Sequence, residues 1–344
     1  MDDMLIEIDD ALKAILLRYA GVLTPSLIAI GKVALGTQGK VMSWRVLRDA
    51  GAEAHTPFWP LFVIRAYRAA LPAGERHTWR KALPAAIAVE IMAAATDIID
   101  EWSDGDPSVV IEKYGAGQAL NAANLMLIMS QQVLLWAAQE GDKEALAALC
   151  ALQDLLVEAA VGQHLDMLYE GMGLSEVSPQ MSGEMSDRKA GALMSGALKM
   201  GGLMAGASAE IVELLARYGK RLGGIAQITN DMRDVLPQEG TDDAGNVGEA
   251  IIRPKTDIQR RKRTLPIVYT LREEGDVPNP LQKAFSAPAG EDEDEESLRH
   301  AIVDAGGLDF ASRVLELYQQ DAAQILAQLE ALSPGAQEEL THFS

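Results

Sequence analysis

Asp97, Asp100, Glu101 and Asp104 close an alanine-rich apolar run that opens at Glu90, and their spacing is i, i+3, i+4 and i+7. On a helix that spacing puts all four carboxyl groups on one face. Carboxylates so close repel, and each resists ionisation unless a cation offsets the others. Hard oxygen ligands in such an array suit Mg²⁺, which keeps several waters and fills its shell from substrate phosphates. The plain alternative is the solvated acidic end of a helix, because charge runs are usually surface. A second cluster favours the metal site. Gln227, Asn230, Asp231 and Asp234 also interrupt an apolar helix, where unpaired carboxylates are costly to bury. Asn230 and Asp234, four residues apart, share a face. Two such clusters, facing each other across a cavity, would hold metal ions that clamp a diphosphate. Lys189, Arg253, Lys255 and Lys262 stand near the loop and helix ends that would complete the clamp; singly, each also reads as a surface charge.

Helical periodicity accounts for most of the chain. Apolar positions recur at helical spacing from 4 to 20, and a second helix begins at about Ser26. Two prolines make 51–60 a loop, 61–72 is a helix, and Leu83-Pro84 turns into the acidic helix at 85–102. From Tyr114 to Glu170 the pattern is almost continuously helical, broken near Gly141-Asp142, and so apolar that this pair is expected to lie centrally. Residues 171–186 read as a loop. Arg188 to Ala207 is a helix whose small side chains permit close approach, and 209–235 carries the second acidic cluster. Gly240 to Asp257 reads as a loop, Thr264 to Arg272 as a helix, 290–296 as a solvated acidic segment and 297–332 as a helix pair. No strand pattern or internal repeat stands out. The expectation is an all-α, single-domain helical bundle over 1–344 with a central active-site cavity.

Composition narrows the partners. Of 344 residues 48% are hydrophobic, enough for a large core, and 30 Lys and Arg against 50 Asp and Glu give a formal charge of -20. That balance argues against nucleic acid, since no excess of basic residues is available to neutralise phosphates. The single Cys150 excludes an intramolecular disulfide, fits a reducing compartment and, within Ala148-Leu149-Cys150-Ala151, reads as core. The start of the chain shows no signal-peptide pattern, and no uncharged apolar run reaches transmembrane length, so a cytoplasmic protein without a membrane span is expected.

Several motifs in order resemble the trans-prenyl (polyprenyl) diphosphate synthase family. Glu90 followed by Asp100-Glu101-x-x-Asp104 resembles its first acidic motif, and Gln227-Ile228-x-Asn230-Asp231-x-x-Asp234 its second. Gly162-Gln163-x-x-Asp166, Lys189-Ala-Gly-Ala-Leu193, Lys262-x-Thr264-Leu265-Pro266, Tyr114-Gly115 and Ala305-Gly306-x-Leu308 agree with further landmarks. The match runs from about residue 58 to 330. The resemblance implies the isoprenoid-synthase fold, a homodimer, and a cluster of three Mg²⁺ ions on Asp100, Glu101, Asp104, Asp231 and Asp234 that holds an allylic isoprenyl diphosphate. It implies that Gln227 supports the second site and that Lys189 and Lys262 contact the diphosphate. Metal ions acting as Lewis acids would ionise the allylic carbon–oxygen bond.

The departures from the pattern set a narrower expectation. Basic residues that bind isopentenyl diphosphate in chain-elongating members are missing: Thr56 and Trp59 replace a lysine and an arginine, and only Gly105-Asp106 separates Asp104 from Pro107 where two arginines are usual. Ala93 replaces a histidine, and Asn230 replaces an aspartate. A dianionic second substrate without such cations is hard to bind. The first expectation is therefore a class I terpene synthase, with Trp59, Trp102 and Trp136 as aromatic faces for a cation or as core. The alternatives are transfer to another acceptor such as a peptide side chain, chain elongation, or a non-catalytic partner subunit. Small side chains at Ala95 and Thr96, just before Asp97, predict a deep pocket suited to farnesyl or longer chains.

Overall fold

A computed structural model describes residues 2–19, 21–37, 59–236, 256–272, 278–287 and 294–341, and among them there are helices and no strand. In chain order the elements begin with α1 (Asp2–Arg18) and α2 (Pro25–Thr37), the latter opened by Thr24, whose hydroxyl accepts the Leu27 N–H. α3 (Trp59–Ala70) and α4 (Leu83–Asp104) come after them, with Pro84 in the first turn of α4, where its missing N–H costs nothing. Next are α5 (Val109–Tyr114), α6 (Ala116–Gln139), α7 (Lys143–Glu170) and α8 (Pro179–Ser186). A π-helical turn, Asp187–Gly191, leads into α9 (Ala192–Met204), and α10 (Ala209–Val235) lies beyond it. The chain continues with α11 (Leu265–Leu271), α12 (Pro280–Ser286), α13 (Glu295–Asp304), α14 (Gly307–Leu332) and α15 (Ala336–Thr341).

The all-α expectation holds, and the differences are local. The short helices α5, α8, α12 and α15 are too brief to show a period, and what marks the first three is capping. Ser178 accepts the Met181 N–H ahead of Pro179, and Asn279 forms a capping box with Gln282. The second half of the expected 171–186 loop is thus helical. The expected helix from Arg188 to Ala207 instead opens as a π turn and stops at Met204. Glu295 and Glu296 begin α13 rather than ending a solvated run, and Glu295 is bonded by Gln259 and Arg299.

The described residues fall into two compact units. The first comprises Met1–Val157, Leu193–Gly219 and Gln324–Ser344. At its heart α4 is buried without a break from Ala85 to Ala95 and packs against α6 and α3. The small residues of α9 do what their size predicts: a Cβ on Gly201 would fall 2.3 Å from the Val63 carbonyl oxygen, and one on Gly196 would fall 2.1 Å from Leu155 Cδ2. α6 and α7 are less central than their apolar sequences suggest. Ile128, Leu146 and Val157 are exposed, and Cys150 is exposed too, because it falls on the outward side of α7 while Ala148, Ala151 and Leu152 face in. Among the described residues two segments are long and apolar enough to cross a membrane, contrary to expectation: Arg80–Asp104, with 72% of its apolar window buried within the protein, and α7, with 33%. Glu90 interrupts the first, and Asp154 and Glu158 the second, so a search for uncharged runs passes over both.

The second unit comprises Glu158–Ala192 and Lys220–Ala323. Its core joins Val235, Ile258, Ile267, Leu271, Leu281, Phe285, Leu298 and Ile302, with Tyr169, Val177, Met185 and Val268 in a neighbouring cluster. These contacts hold the C-terminal part of α10 and the segment around Lys262 in place.

Candidate active site

In the first unit Asp97, Asp100, Glu101 and Asp104 occupy the last two turns of α4 and are half-buried, so this is not a freely solvated helix end. The helix stops at Gly105, whose φ of 68° suits a residue without Cβ. Gly105 donates its N–H to the Trp102 carbonyl at 3.3 Å and Asp106 donates to that of Glu101 at 2.8 Å, a Schellman closure that fixes the backbone beneath the acids. Thr96 donates its hydroxyl to the Ala93 carbonyl at 3.0 Å, and Ala93 and Ala95 are buried. Trp102 is 50% exposed, and Trp136 packs against Tyr19 with the Arg18 guanidinium 3.7 Å from its ring centre, so neither ring is open to an internal cation. Trp59 packs on Phe62.

In the second unit, the inward row of α10 is half-buried Gln227, buried Asp231 and half-buried Asp234, spaced i, i+4 and i+7. Gln227 Nε2 donates to Asp231 Oδ1 at 2.8 Å. Asn230 is exposed, so the face it was expected to share with Asp234 is not the buried one, and the departure from aspartate at 230 falls outside this row. Asp231 is buried, and its Oδ2 has no hydrogen-bond partner among the described residues. Burial raises its carboxyl to about 7; Gln227 and Lys189 oppose the shift, and Asp166 and Asp234 add to it. Asp257 is pushed to about 8 by burial and by the nearby charges of Asp231 and Asp234. Asp234 is raised as well, chiefly by burial, although its Oδ2 accepts the Asp257 N–H at 2.5 Å.

Two cations stand beside these acids. Lys189 Nζ lies 2.9 Å and Lys262 Nζ 2.8 Å from Asp166 Oδ2, and Lys262 also reaches Glu170 Oε1 at 3.0 Å. Burial works against ionisation of Asp166, but Lys189 and Lys262 outweigh it and hold the carboxyl below its usual range. Lys262 is placed by its neighbours: Arg261, at a positive φ of 59°, donates to the Ala284 carbonyl, and Arg263 donates to the Arg261 and Met172 carbonyls. The structure thus brings together Lys189, Gln227, Asp231, Asp234 and Lys262. Arg253, Lys255 and Thr56 lie outside the described residues.

Among the described residues no three carboxylate, imidazole or thiol groups converge as a ready-made metal cage. Mg²⁺ does not need one, since it takes one or two carboxylates and completes its octahedron with water and phosphate. The residues fit that use. Burial raises Asp231, Asp234 and Asp257 alike, Asp231 Oδ2 has no hydrogen-bond partner among the described residues, and a cation beside them would oppose each shift. Spacing alone does not reveal Asp257, which reads as the end of a loop; its signal is a lone acid beside buried Ile258, ahead of Arg260-Arg261-Lys262-Arg263.

Comparison with known proteins identifies the family. The geranylfarnesyl diphosphate synthase of Aeropyrum pernix is 26% identical over 75% of this chain and 79% of its own length. A crystal structure of a geranylgeranyl pyrophosphate synthase superposes with a TM-score of 0.74 at 22% identity, covering 98% of this chain and 96% of the other, which shows the fold. The polyprenyl synthase of Caulobacter crescentus CB15, solved with calcium and isoprenyl diphosphate, gives 0.67 at 20% identity over 95% and 97%. The sequence profile described as polyprenyl synthetase matches residues 58–303, well over half of the chain, and the protein is a member of that family.

Proposed function

We propose that this chain is a Mg²⁺-dependent enzyme that ionises an allylic isoprenyl diphosphate and passes the prenyl group to isopentenyl diphosphate, lengthening it. The observation that carries the first step is the meeting of Lys189 and Lys262 on one oxygen of Asp166, beside buried Asp231 and half-buried Asp234 and Asp257. Fixed ammonium groups next to desolvated carboxylates are satisfied together by an anion that arrives with divalent cations. When bound, Mg²⁺ supplies Lewis-acid polarisation of the leaving diphosphate. Asp100, Glu101 and Asp104 on α4, supported by Asp97, and Asp231 and Asp234 on α10 are its proposed ligands. Gln227 orients Asp231, and Lys189 and Lys262 hold diphosphate oxygens, with Arg253 and Lys255 as further candidates. The allylic C–O bond breaks with its electron pair on the departing oxygen, and these fixed charges stabilise the charge that develops there.

Elongation is the leading second half because the relatives carrying the likeness are named for making longer isoprenyl diphosphates. A second reading, a terpene synthase that traps the cation internally, is favoured by one feature. After Asp104 the chain turns at once through Gly105 and Asp106, with no cation where an incoming diphosphate would need one. We take the chain as one cytoplasmic catalytic domain that works as a homodimer. α7 supports the pairing: Leu146, Cys150, Val157, Val161 and Leu168 are all exposed and alternate at spacings of four and seven, the pattern of a helix seam.

Incubation with Mg²⁺ and C10, C15 or C20 allylic diphosphates, each with and without isopentenyl diphosphate, decides between the readings. Products longer by five carbons establish elongation. Hydrocarbon or alcohol formed without the second substrate would replace it with the terpene-synthase reading.

A further inference from the structure

The π-helical turn Asp187–Gly191 carries Lys189, and several unusual contacts converge on it. One residue inserted into a helical turn rotates the downstream helix by about 100° relative to an unbroken one, so such turns re-aim a side chain and persist only where surroundings hold them. Here the backbone is gripped on two sides. A Cβ on Gly162 of α7 would lie 2.3 Å from the Lys189 nitrogen, and one on Gly223 of α10 would lie 2.4 Å from the Ala190 carbonyl oxygen. Two glycines thus let the turn sit directly against neighbouring helices.

The side chain that opens the turn is anchored as well. Asp187 accepts the Tyr318 hydroxyl on Oδ1 at 3.1 Å, and Arg221 Nη1 lies 3.4 Å from its Oδ2. Lys220 Nζ stands farther off, at 3.9 Å. Arg221 is itself fixed, with Nε on Asp321 Oδ2 at 2.6 Å and its guanidinium 4.6 Å from the Tyr318 ring centre. The tyrosine ring has its place because Gly224 carries no side chain: a Cβ there would fall 2.5 Å from Tyr318 Cε1. Burial raises the Asp187 carboxyl, and burial together with Asp187 pushes the Tyr318 hydroxyl to about 12, so the hydroxyl stays a donor to Asp187 at neutral pH. Together these side chains fix the first residue of the turn from α10 and α14.

We propose that Asp187, Tyr318 and Arg221 are positioning residues that hold the π turn and thereby aim the Lys189 ammonium at the diphosphate-binding place beside Asp166. This inference rests on the reading that Lys189 binds diphosphate. Groups that merely stabilise the fold would lower melting temperature and leave diphosphate affinity alone. Groups that aim Lys189 change that affinity, and only while Lys189 is present.

The test is a double-mutant cycle read by calorimetric titration of the full chain with inorganic diphosphate in excess Mg²⁺. Lys189→Met is expected to weaken binding about tenfold, and Tyr318→Phe, which removes one oxygen, roughly three- to fivefold. The double variant is expected to bind no more weakly than Lys189→Met alone, the signature of two residues acting through one interaction. Tyr318→Phe binding as the wild type does, or its loss adding in full to that of Lys189→Met, overturns the positioning role and leaves the diphosphate site standing. Unchanged binding by Lys189→Met overturns the diphosphate role of Lys189 and this inference with it. Asp187→Asn, which keeps the shape and removes the charge, is expected to match Tyr318→Phe; if it does not fold, the tyrosine variant decides.

Discussion

Lys262 is joined to Lys189 through a single atom, Asp166 Oδ2, which lies 2.8 Å from one ammonium and 2.9 Å from the other. Two cations thus share one anionic oxygen, in a place where the Lys262 side chain is only 4% exposed, and Glu170 Oε1 stands 3.0 Å from the same Lys262 ammonium. Water screens little of the Lys262 charge, so an arriving phosphate oxygen would compete for it directly with Asp166 and Glu170. Asp166 is therefore both counter-ion and spacer: it pairs with the buried Lys262 ammonium and the half-buried Lys189 ammonium and sets the gap between them.

Replacing Asp166 with Asn removes that counter-ion while keeping the volume. Lys262 retains Glu170 at 3.0 Å, so the loss is expected at the low end of that for breaking a buried ion pair, about 3 kcal/mol. Urea unfolding of the two proteins gives the difference. A loss below about 1 kcal/mol would mean that solvent reaches the lysines and that the pairing is of the surface kind.

Sequence made the helices and the acidic rows readable because both depend on local spacing. Asp97, Asp100, Glu101 and Asp104 share a face by the i, i+3, i+4 rule, whereas on α10 that rule pairs Asn230 with Asp234, and Gln227 gains its role only through the family resemblance. What spacing cannot give is the choice among faces: Asn230 and Asp231 are neighbours, and only the packing of α10 decides that 231 is buried and 230 exposed. Asp257 stands outside every recognised motif and enters the site through a backbone bond to Asp234, a tertiary relation with no period. The π turn is hidden for a similar reason, since Asp187-Arg-Lys-Ala-Gly191 has ordinary helical composition and the room for the turn is left by Gly162 and Gly223 across it. The exposure of Cys150 is masked in the sequence because its neighbours are alanine and leucine on every side.

Glycine positions give a paired stability prediction. Gly162→Ala would drive a methyl into the Lys189 backbone at 2.3 Å, and backbone cannot swing aside, so a loss of roughly 2–3 kcal/mol is expected. Gly117→Ala, near the start of α6 with nothing within 4 Å of the new carbon, is expected to gain about 0.5 kcal/mol from the reduced freedom of the unfolded chain. Thermal melts of both variants check the contrast, and equal effects would remove the close-approach account of Gly162.

The exposed seam on α7 predicts association. Sedimentation equilibrium of the wild type is expected to give a dimer at micromolar concentration. Val157→Asp, placing a charge at a position now 64% exposed, is expected to give a monomer with little change in monomer stability. A wild-type monomer, or a dimer indifferent to the substitution, would assign that seam to something else.

Protonation of the buried acids makes stability depend on pH in an uncommon direction. An ordinary paired carboxylate has a depressed value and strengthens the fold as pH rises through it; Asp231 and Asp257 have values raised to about 7 and about 8. Between an unfolded value near 4 and these folded values, the folded state holds protons that the unfolded state has released. Stability contributed by each group is therefore full below about pH 4 and falls as pH climbs toward 7 or 8, by up to about 1.4 kcal/mol per pH unit per group. Urea unfolding in EDTA from pH 5.5 to 8 is expected to show this decline. A bound divalent cation favours the ionised acids, so Mg²⁺ with diphosphate is expected to flatten the decline, and its binding is expected to release protons and to tighten as pH rises. Asp257→Asn, uncharged at every pH, is expected to remove the part of the slope nearest pH 8. A fold in EDTA that grows steadily more stable over this range would show that Asp231 and Asp257 are ionised without a metal, and the case for a cation beside them would go.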